Sequence, residues 1–172
     1  LMSDLRGFTY MSENNDPENV VALLNRYLER MSKVIVSYGG TIDEFIGDAI
    51  LAIFGVPEAH ADDTVRAVAC GIAMQNALKG LNADFAKEGF PPLEMGIGIN
   101  TGQVVVGNIG SETRSKYGVV GHHVNLTARV ESFTVGGQVM ISEFTLGQLE
   151  SEVEIAQSMK VEAKGIKDPV RI

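Results

Sequence analysis

Between Thr41 and Phe54 the chain reads TIDEFIGDAILAIF, two apolar strand-forming runs separated only by Gly47 and Asp48. A connection that short leaves room for nothing but a tight turn, so the two runs form a hairpin. The stretch before it, DPENVVALLNRYLERMSKVIVSYGG, repeats Val20, Leu23, Leu24, Tyr27, Met31, Val34 and Ile35 at helical spacing. Asp16 suits its N-cap, Pro17 its first turn, and Gly39 with Gly40 end it. A second helix begins near Asp62 and runs to about Leu81 or beyond, with Val65, Val68, Ala69, Ile72 and Ala73 on one face. Its small residues predict close packing on a sheet.

The remaining runs are mostly strands. LMSDLRGFT reads as the end of a buried strand entering a glycine-containing turn. LEMGIGINT alternates Met95, Ile97 and Ile99 with Gly96 and Gly98, and glycines inside a strand predict that another backbone or a partner comes close. QVVVGNIG is a strand, and SETRSKYGVVG reads as a polar loop running into a short one. HHVNLTARVESF is a helix that puts Asn125 and Arg129 on one face, with Leu126, Val130 and Phe133 on the neighbouring apolar face. QVMI is a strand, SEFTLGQL a short helix capped by Ser142, and the tail is strand-like. Strands alternating with long helices predict an α+β sandwich, helices covering a mixed sheet, formed by residues 1–172 as one domain.

Composition excludes some partners. A net charge of −8 argues against nonspecific nucleic-acid binding, which draws its affinity from Lys and Arg neutralising phosphates. The single cysteine, Cys70, sits in a small-residue apolar run and reads as inert packing in a reducing, cytoplasmic setting. No apolar run approaches the roughly 18 residues of a membrane span. Both ends are strand-like, so the chain reads as a domain of a longer protein that carries regulatory domains.

Two aspartates stand at strand ends among apolar residues: Asp4 in LMSDLRGF and Asp48 in FIGDAILA. A carboxylate there is costly to bury unless something positive pairs with it. If the two converge they suit Mg²⁺, which takes one or two protein carboxylates and leaves its other positions to water and phosphate; taken singly, each could as well be a solvated turn residue. Asn125 with Arg129 could hold a ribose and a phosphate, or be a solvated helix face. Lys164 by itself reads as a surface lysine. GINTGQVVVGNIG is no P-loop, because no GK[ST] follows. His60, His122 and His123 lack metal-ligand spacing and read as surface or helix-start residues.

Taken together, LMSDLRGFT, GGTIDEFIGDAILAIFG, MGIGINTGQVVVGNIGS and YGVVGHHVNLTARVES resemble the class III nucleotide cyclase catalytic domain, in the family's order over nearly the whole chain. GGTIDEF also looks like the GGDEF signature of diguanylate cyclases, with Thr41 and Ile42 wedged into it. That signature needs contiguous residues, and those enzymes carry no VNLTAR helix. The resemblance implies a ferredoxin-like, palm-like mixed sheet. It also implies two divalent ions, Mg²⁺ or Mn²⁺, held by Asp4, Asp48 and the Leu5 carbonyl, and a triphosphate met by the Phe8 and Thr9 N–H groups. Asn125 and Arg129 match the family's transition-state pair, and Lys164 its phosphate-binding lysine. The family's arrangement further implies a head-to-tail homodimer with composite sites: Asp4 and Asp48 of one protomer face Glu44, Gly118, Asn125, Arg129 and Lys164 of the other.

At the base-reading positions the adenylyl-type enzymes carry Lys, with Asp or Thr as its partner; here they are Glu44 and Gly118. Glu matches the guanylyl type, whereas Gly118 replaces its usual Cys. A carboxylate accepts guanine N1–H and N2–H₂ but opposes the acceptor N1 of adenine. The resemblance therefore implies a guanylyl cyclase making cyclic GMP from GTP. Its rivals are an adenylyl cyclase with an unusual base pocket and a non-catalytic dimerisation domain. Asp43, on the opposite side of the strand from Glu44, reads as solvated.

Overall fold

The apolar runs become strands and helices largely where their periodicity puts them. The computed structural model describes residues 1–149, 153–162 and 169–172. In chain order the elements are β1 (Met2–Leu5), α1 (Phe8–Glu13), α2 (Pro17–Ser37), β2 (Thr41–Ile46), β3 (Ala49–Ile53), α3 (Asp63–Lys87) and β4 (Met95–Ile99). Then come β5 (Val105–Gly110), β6 (Ser115–Val120), α4 (His122–Ser132), β7 (Val139–Ile141), α5 (Glu143–Leu146), β8 (Lys160–Val161) and β9 (Val170–Arg171). The main sheet runs β2-β3-β1-β4-β7. Its pairs are antiparallel except β4 with β7, so the sheet is mixed, as expected.

The hairpin closes at Gly47, whose φ of +64° suits a residue without a side chain, and pairs from Thr41↔Ile53 to Ile46↔Ala49. Its register shifts between Ile42 and Glu44, the mark of a bulge in β2. At the start of α2 the Asp16 carboxylate accepts from the Glu18 N–H at 2.9 Å. Ser142 caps α5 by accepting from the Thr145 N–H at 3.3 Å.

Helices cover both faces of the sheet. On one side Leu23, Tyr27, Met31 and Ile35 of α2 and Val68, Cys70, Met74, Leu78 and Phe85 of α3 join Ile50, Ile97 and Ile99 in the main core. On the other, Leu126 and Val130 of α4 pack with Val170. Cys70 is fully buried and its thiol is pushed up to about 12 by burial, which makes it inert packing. Among the described residues no helix is long and apolar enough to cross a membrane.

Two expectations need correction. The buried side of α3 is Ala67, Val68, Cys70, Gly71, Met74, Leu78, Leu81 and Phe85, whereas Val65 and Ile72 stay 38% and 51% exposed. Gly71 belongs to the inward side because the sheet is close there: a Cβ on it would lie 3.2 Å from Ile99 Cδ1 and Val139 Cγ1. Phe133, placed on the apolar face of α4, is 39% exposed just beyond the helix end. In addition, part of the stretch read as a polar loop is strand: β6 pairs with β5 from Val105↔Val120 to Gly110↔Ser115.

Of the β4 glycines, Gly98 meets another backbone and Gly96 meets side chains. A Cβ on Gly98 would come within 2.3 Å of the Glu131 nitrogen and 2.5 Å of its Cα, and one on Gly96 within 1.9 Å of Thr134 Oγ1. Gly98→Ala is therefore expected to lift α4 from the sheet and destabilise the fold by about 1–3 kcal/mol in urea unfolding. Gly80→Ala, on the exposed side of α3 with nothing within 4 Å of the added Cβ, should stabilise it by about 0.5–1 kcal/mol in the same assay.

Candidate active site

Residues of β1 alternate between the two faces, so Leu1, Ser3 and Leu5 are buried while Asp4 is half-buried, paired with Gly96 in β4. The turn after β2 folds back over the end of β1, and the Leu5 N–H donates to Asp48 Oδ2 at 3.1 Å. The structure thus brings Asp4, Leu5 and Asp48 together, the grouping that the family resemblance implied. Asp4 is pushed up to about 6, first by burial, then by the negative charges of Asp48 and Glu131, with Arg6 opposing.

Arg6 and Glu131 are the neighbours that sequence reading missed. Arg6 Nη1 lies 3.4 Å from Asp4 Oδ2, while Nη2 donates to the Glu131 carbonyl at 3.2 Å, to Thr134 Oγ1 at 2.6 Å and to the Glu131 carboxylate. Burial raises the Glu131 carboxyl and the adjacent Arg6 opposes the shift. Two carboxylates therefore meet one guanidinium, and Asp48 adds a third negative charge close to Asp4. Among the described residues no group of three or more His, Cys, Asp or Glu forms a closed metal cage. Two converging carboxylates with open sides are instead the donor set that suits Mg²⁺ or Mn²⁺ completed by phosphate and water.

Phe8 and Thr9 open α1 behind Gly7, whose φ is +70°, so their N–H groups lie in the first turn, where no intrahelical acceptor is available. Asn125 and Arg129 are exposed on α4, and among the described residues neither side chain makes a hydrogen bond or ion pair. At about 100° per residue they lie roughly 120° and 160° around the helix from Glu131, the residue that faces Asp4. They accordingly point away from the carboxylates of their own chain. Lys164 lies outside the described residues.

Glu44 on β2 and Gly118 on β6 come together at one edge, and a third residue joins them. Lys116 Nζ donates to Glu44 Oε2, and a Cβ on Gly118 would sit 3.5 Å from Lys116 Cε and 3.3 Å from Asp43 Oδ1. Asp43 is partly buried, which raises its carboxyl, with Lys116 opposing. The expectation that it is solvated on the far side of the strand is wrong, because the bulge after Ile42 breaks the alternation of β2. The signal for Lys116 was available: it stands two residues before Gly118 and so on the same side of a strand.

Residues 1–171 match the family model of the Adenylate and Guanylate cyclase catalytic domain. An adenylate cyclase of Anabaena cylindrica is 37% identical over 175 residues, covering 95% of this chain and 34% of that protein. Adenylate cyclase 1 of Rhizobium meliloti (strain 1021) is 32% identical over 167 residues, 96% of this chain and 25% of that protein. The chain thus spans a quarter to a third of the length of these curated relatives. Among solved structures it is similar to the guanylyl cyclase Cya2, with 57% identity and a TM-score of 0.95 over 99% of this chain and 86% of that one. The adenylyl cyclase CyaB from P. aeruginosa is similar at 40% identity and a TM-score of 0.90, over 99% and 88%.

A carboxyl whose folded pKa lies above its unfolded value binds more protons when folded, so its contribution to stability falls as pH rises. For Asp4 the window runs from its ordinary 3.8 to about 6. Asp4→Asn should flatten the pH dependence of unfolding across that window. It should also stabilise the metal-free protein at pH 7 by roughly 1–2 kcal/mol, allowing for solvent screening. Thermal unfolding with and without EDTA checks this, and Mn²⁺ should raise the melting temperature of the wild-type chain but not of the variant.

Proposed function

The chain belongs to the class III nucleotide cyclase catalytic domains, and from that premise we propose that it is a guanylyl cyclase converting GTP to 3′,5′-cyclic GMP and pyrophosphate. The observation that carries the choice of base is Glu44, an acceptor-only group at the edge where Gly118 contributes no side chain. Guanine offers it two donors, N1–H and N2–H₂. Adenine would set its N1 acceptor against the carboxylate. One bidentate pair discriminates by about 1–3 kcal/mol, and an unpaired polar group left in the pocket adds to that.

A second reading, an adenylyl cyclase, draws on the relatives named adenylate cyclase and on Asp43, whose carboxylate beside Gly118 could accept from adenine N6–H₂. The acceptor-to-acceptor contact at Glu44 weighs against it.

Asp4, Asp48 and the Leu5 carbonyl would hold two divalent ions, which supply Lewis acidity toward the triphosphate and the ribose 3′-hydroxyl. The chain's own groups then orient and stabilise. Phe8 and Thr9 N–H groups meet phosphate oxygens, Asn125 fixes the ribose, and Arg129 with Lys164 takes up charge as the 3′-oxygen bonds to the α-phosphorus and pyrophosphate leaves. Because Asn125 and Arg129 point away from their own Asp4, the reading includes a homodimer in which each site draws its carboxylates from one protomer and this pair from the other. Val105 and Tyr117, left 68% and 62% exposed on the β5–β6 hairpin, supply apolar surface for such an assembly.

Side-by-side turnover on Mn-GTP and Mn-ATP should give a kcat/KM for GTP at least tenfold higher, and comparable values would refute the base assignment. Asp48→Ala and Arg129→Ala should each lose at least a hundredfold in activity alone. Mixed and allowed to exchange, they should recover roughly a quarter of wild-type activity, because half the dimers carry one intact site. Exchange without recovery would mean that each site lies within one protomer.

A further inference from the structure

The Arg6 guanidinium passes from β1 to α4 through a gap that β4 leaves open. Gly96 stands opposite Asp4 in the register, and a Cβ there would strike Arg6 Nη2 and Thr134 Oγ1. On the far side of that gap Nη2 donates to the Glu131 carbonyl, to the Glu131 carboxylate and to Thr134 Oγ1. On the near side Nη1 makes a single long contact, 3.4 Å to Asp4 Oδ2, and Nε is buried without a partner among the described residues. The guanidinium is thus held chiefly by α4, although Asp4 is much the nearer residue in the chain. Glu131 is itself only 7% exposed, and among the described residues Arg6 is its one ion-pair partner.

A cation arriving at Asp4 must compete with any positive charge already beside that carboxylate, and Arg6 stands there. Resting on the reading of Asp4 and Asp48 as cation ligands, we propose that Glu131 is a positioning residue for the cation site. By holding Arg6 on α4 it keeps the guanidinium from closing on Asp4 and leaves that carboxylate open to the ion. A hydrogen bond between two charged groups is about twice as strong as a neutral one, so the carboxylate is the strongest of the three anchors on α4. Without it the guanidinium would keep only the neutral carbonyl and hydroxyl there, and Asp4 would be its remaining anionic partner among the described residues. A partly buried charge that loses its counter-ion turns to the next one available. Arg6 would then close the 3.4 Å gap and occupy the oxygen that the cation needs.

Two other roles make different predictions. A Glu131 that only fastens α4 to the sheet would change stability and leave cation binding alone. A Glu131 that acts only through its charge would give the same loss whatever neutral residue replaces it. The probe is Mn²⁺ alone, its free concentration read by electron paramagnetic resonance, with circular dichroism to confirm that each variant is folded. Glu131→Gln keeps an acceptor for Nη2, Glu131→Leu keeps only the volume, and both remove one negative charge. Glu131→Leu should weaken Mn²⁺ binding by roughly tenfold or more, and Glu131→Gln by only about threefold. Adding Arg6→Met to Glu131→Leu should return the affinity to within about threefold of wild type, because the competing guanidinium is gone. Arg6→Met alone should bind Mn²⁺ at least as tightly as wild type. Equal losses in the Leu and Gln variants would reduce Glu131 to its charge, and weaker binding in Arg6→Met would mean that the guanidinium supports Asp4 rather than competing for it; either result overturns the inference. Glu131→Met takes the place of Glu131→Leu if the latter does not fold. A wild-type protein that takes up no Mn²⁺ would overturn the cation reading of Asp4 and Asp48 and this inference with it, whereas wild-type binding with unchanged affinity in Glu131→Leu would overturn the inference alone.

Discussion

How near α4 can come to the sheet decides most of what the site can be. Gly98 leaves no side chain between β4 and the backbone at Glu131, and Gly96 leaves none between β4 and Thr134. The end of α4 therefore lies directly on the strand, and its last turn offers Arg6 a carbonyl, a carboxylate and, just beyond, a hydroxyl. Arg6 reaches Asp4 from the same position. A single methyl group at position 98 would separate these elements, so the site's charge arrangement rests on two missing side chains.

That arrangement is deliberately unbalanced in charge. Asp4 and Glu131 share the Arg6 guanidinium, and the negative charges of Asp48 and Glu131 help to raise Asp4. Groups held at such a cost favour whatever cation relieves it. The edge that carries Glu44 is built differently, from opposite charges, with Lys116 paired to Glu44 and its charge opposing that of Asp43. One end of the β2–β3 hairpin thus carries an excess of negative charge while its middle is already neutralised, although Glu44 and Asp48 are only four positions apart.

The elements were legible in the sequence because helix periodicity and glycine punctuation are local. Asp16, Ser142 and the turn at Gly47 behaved as their residue types require. The convergence of Asp4 and Asp48 was implied by family resemblance, and the structure brings them to the shared contact at Leu5. What was not legible depends on distance along the chain or on geometry that hides from a pattern. Arg6 and Glu131 lie 125 positions apart. The bulge in β2 has no side-chain signature, so Asp43 was assigned to the wrong side of the strand. The inward face of α3 is set partly by Gly71, which meets the sheet closely and carries no signal in a hydrophobic pattern.

The bridge from Asp4 through Arg6 to Glu131 also ties the corner that holds Asp4 and Asp48 to α4 within one chain. In a dimer of shared sites, α4 of each protomer serves the opposite site from the one its own Asp4 serves. In such a dimer the bridge would link, inside each protomer, the half that serves one site to the half that serves the other. A shift of α4 at one site would then be felt at the carboxylates of the other, and the two sites of the proposed dimer would be coupled through the protomers themselves.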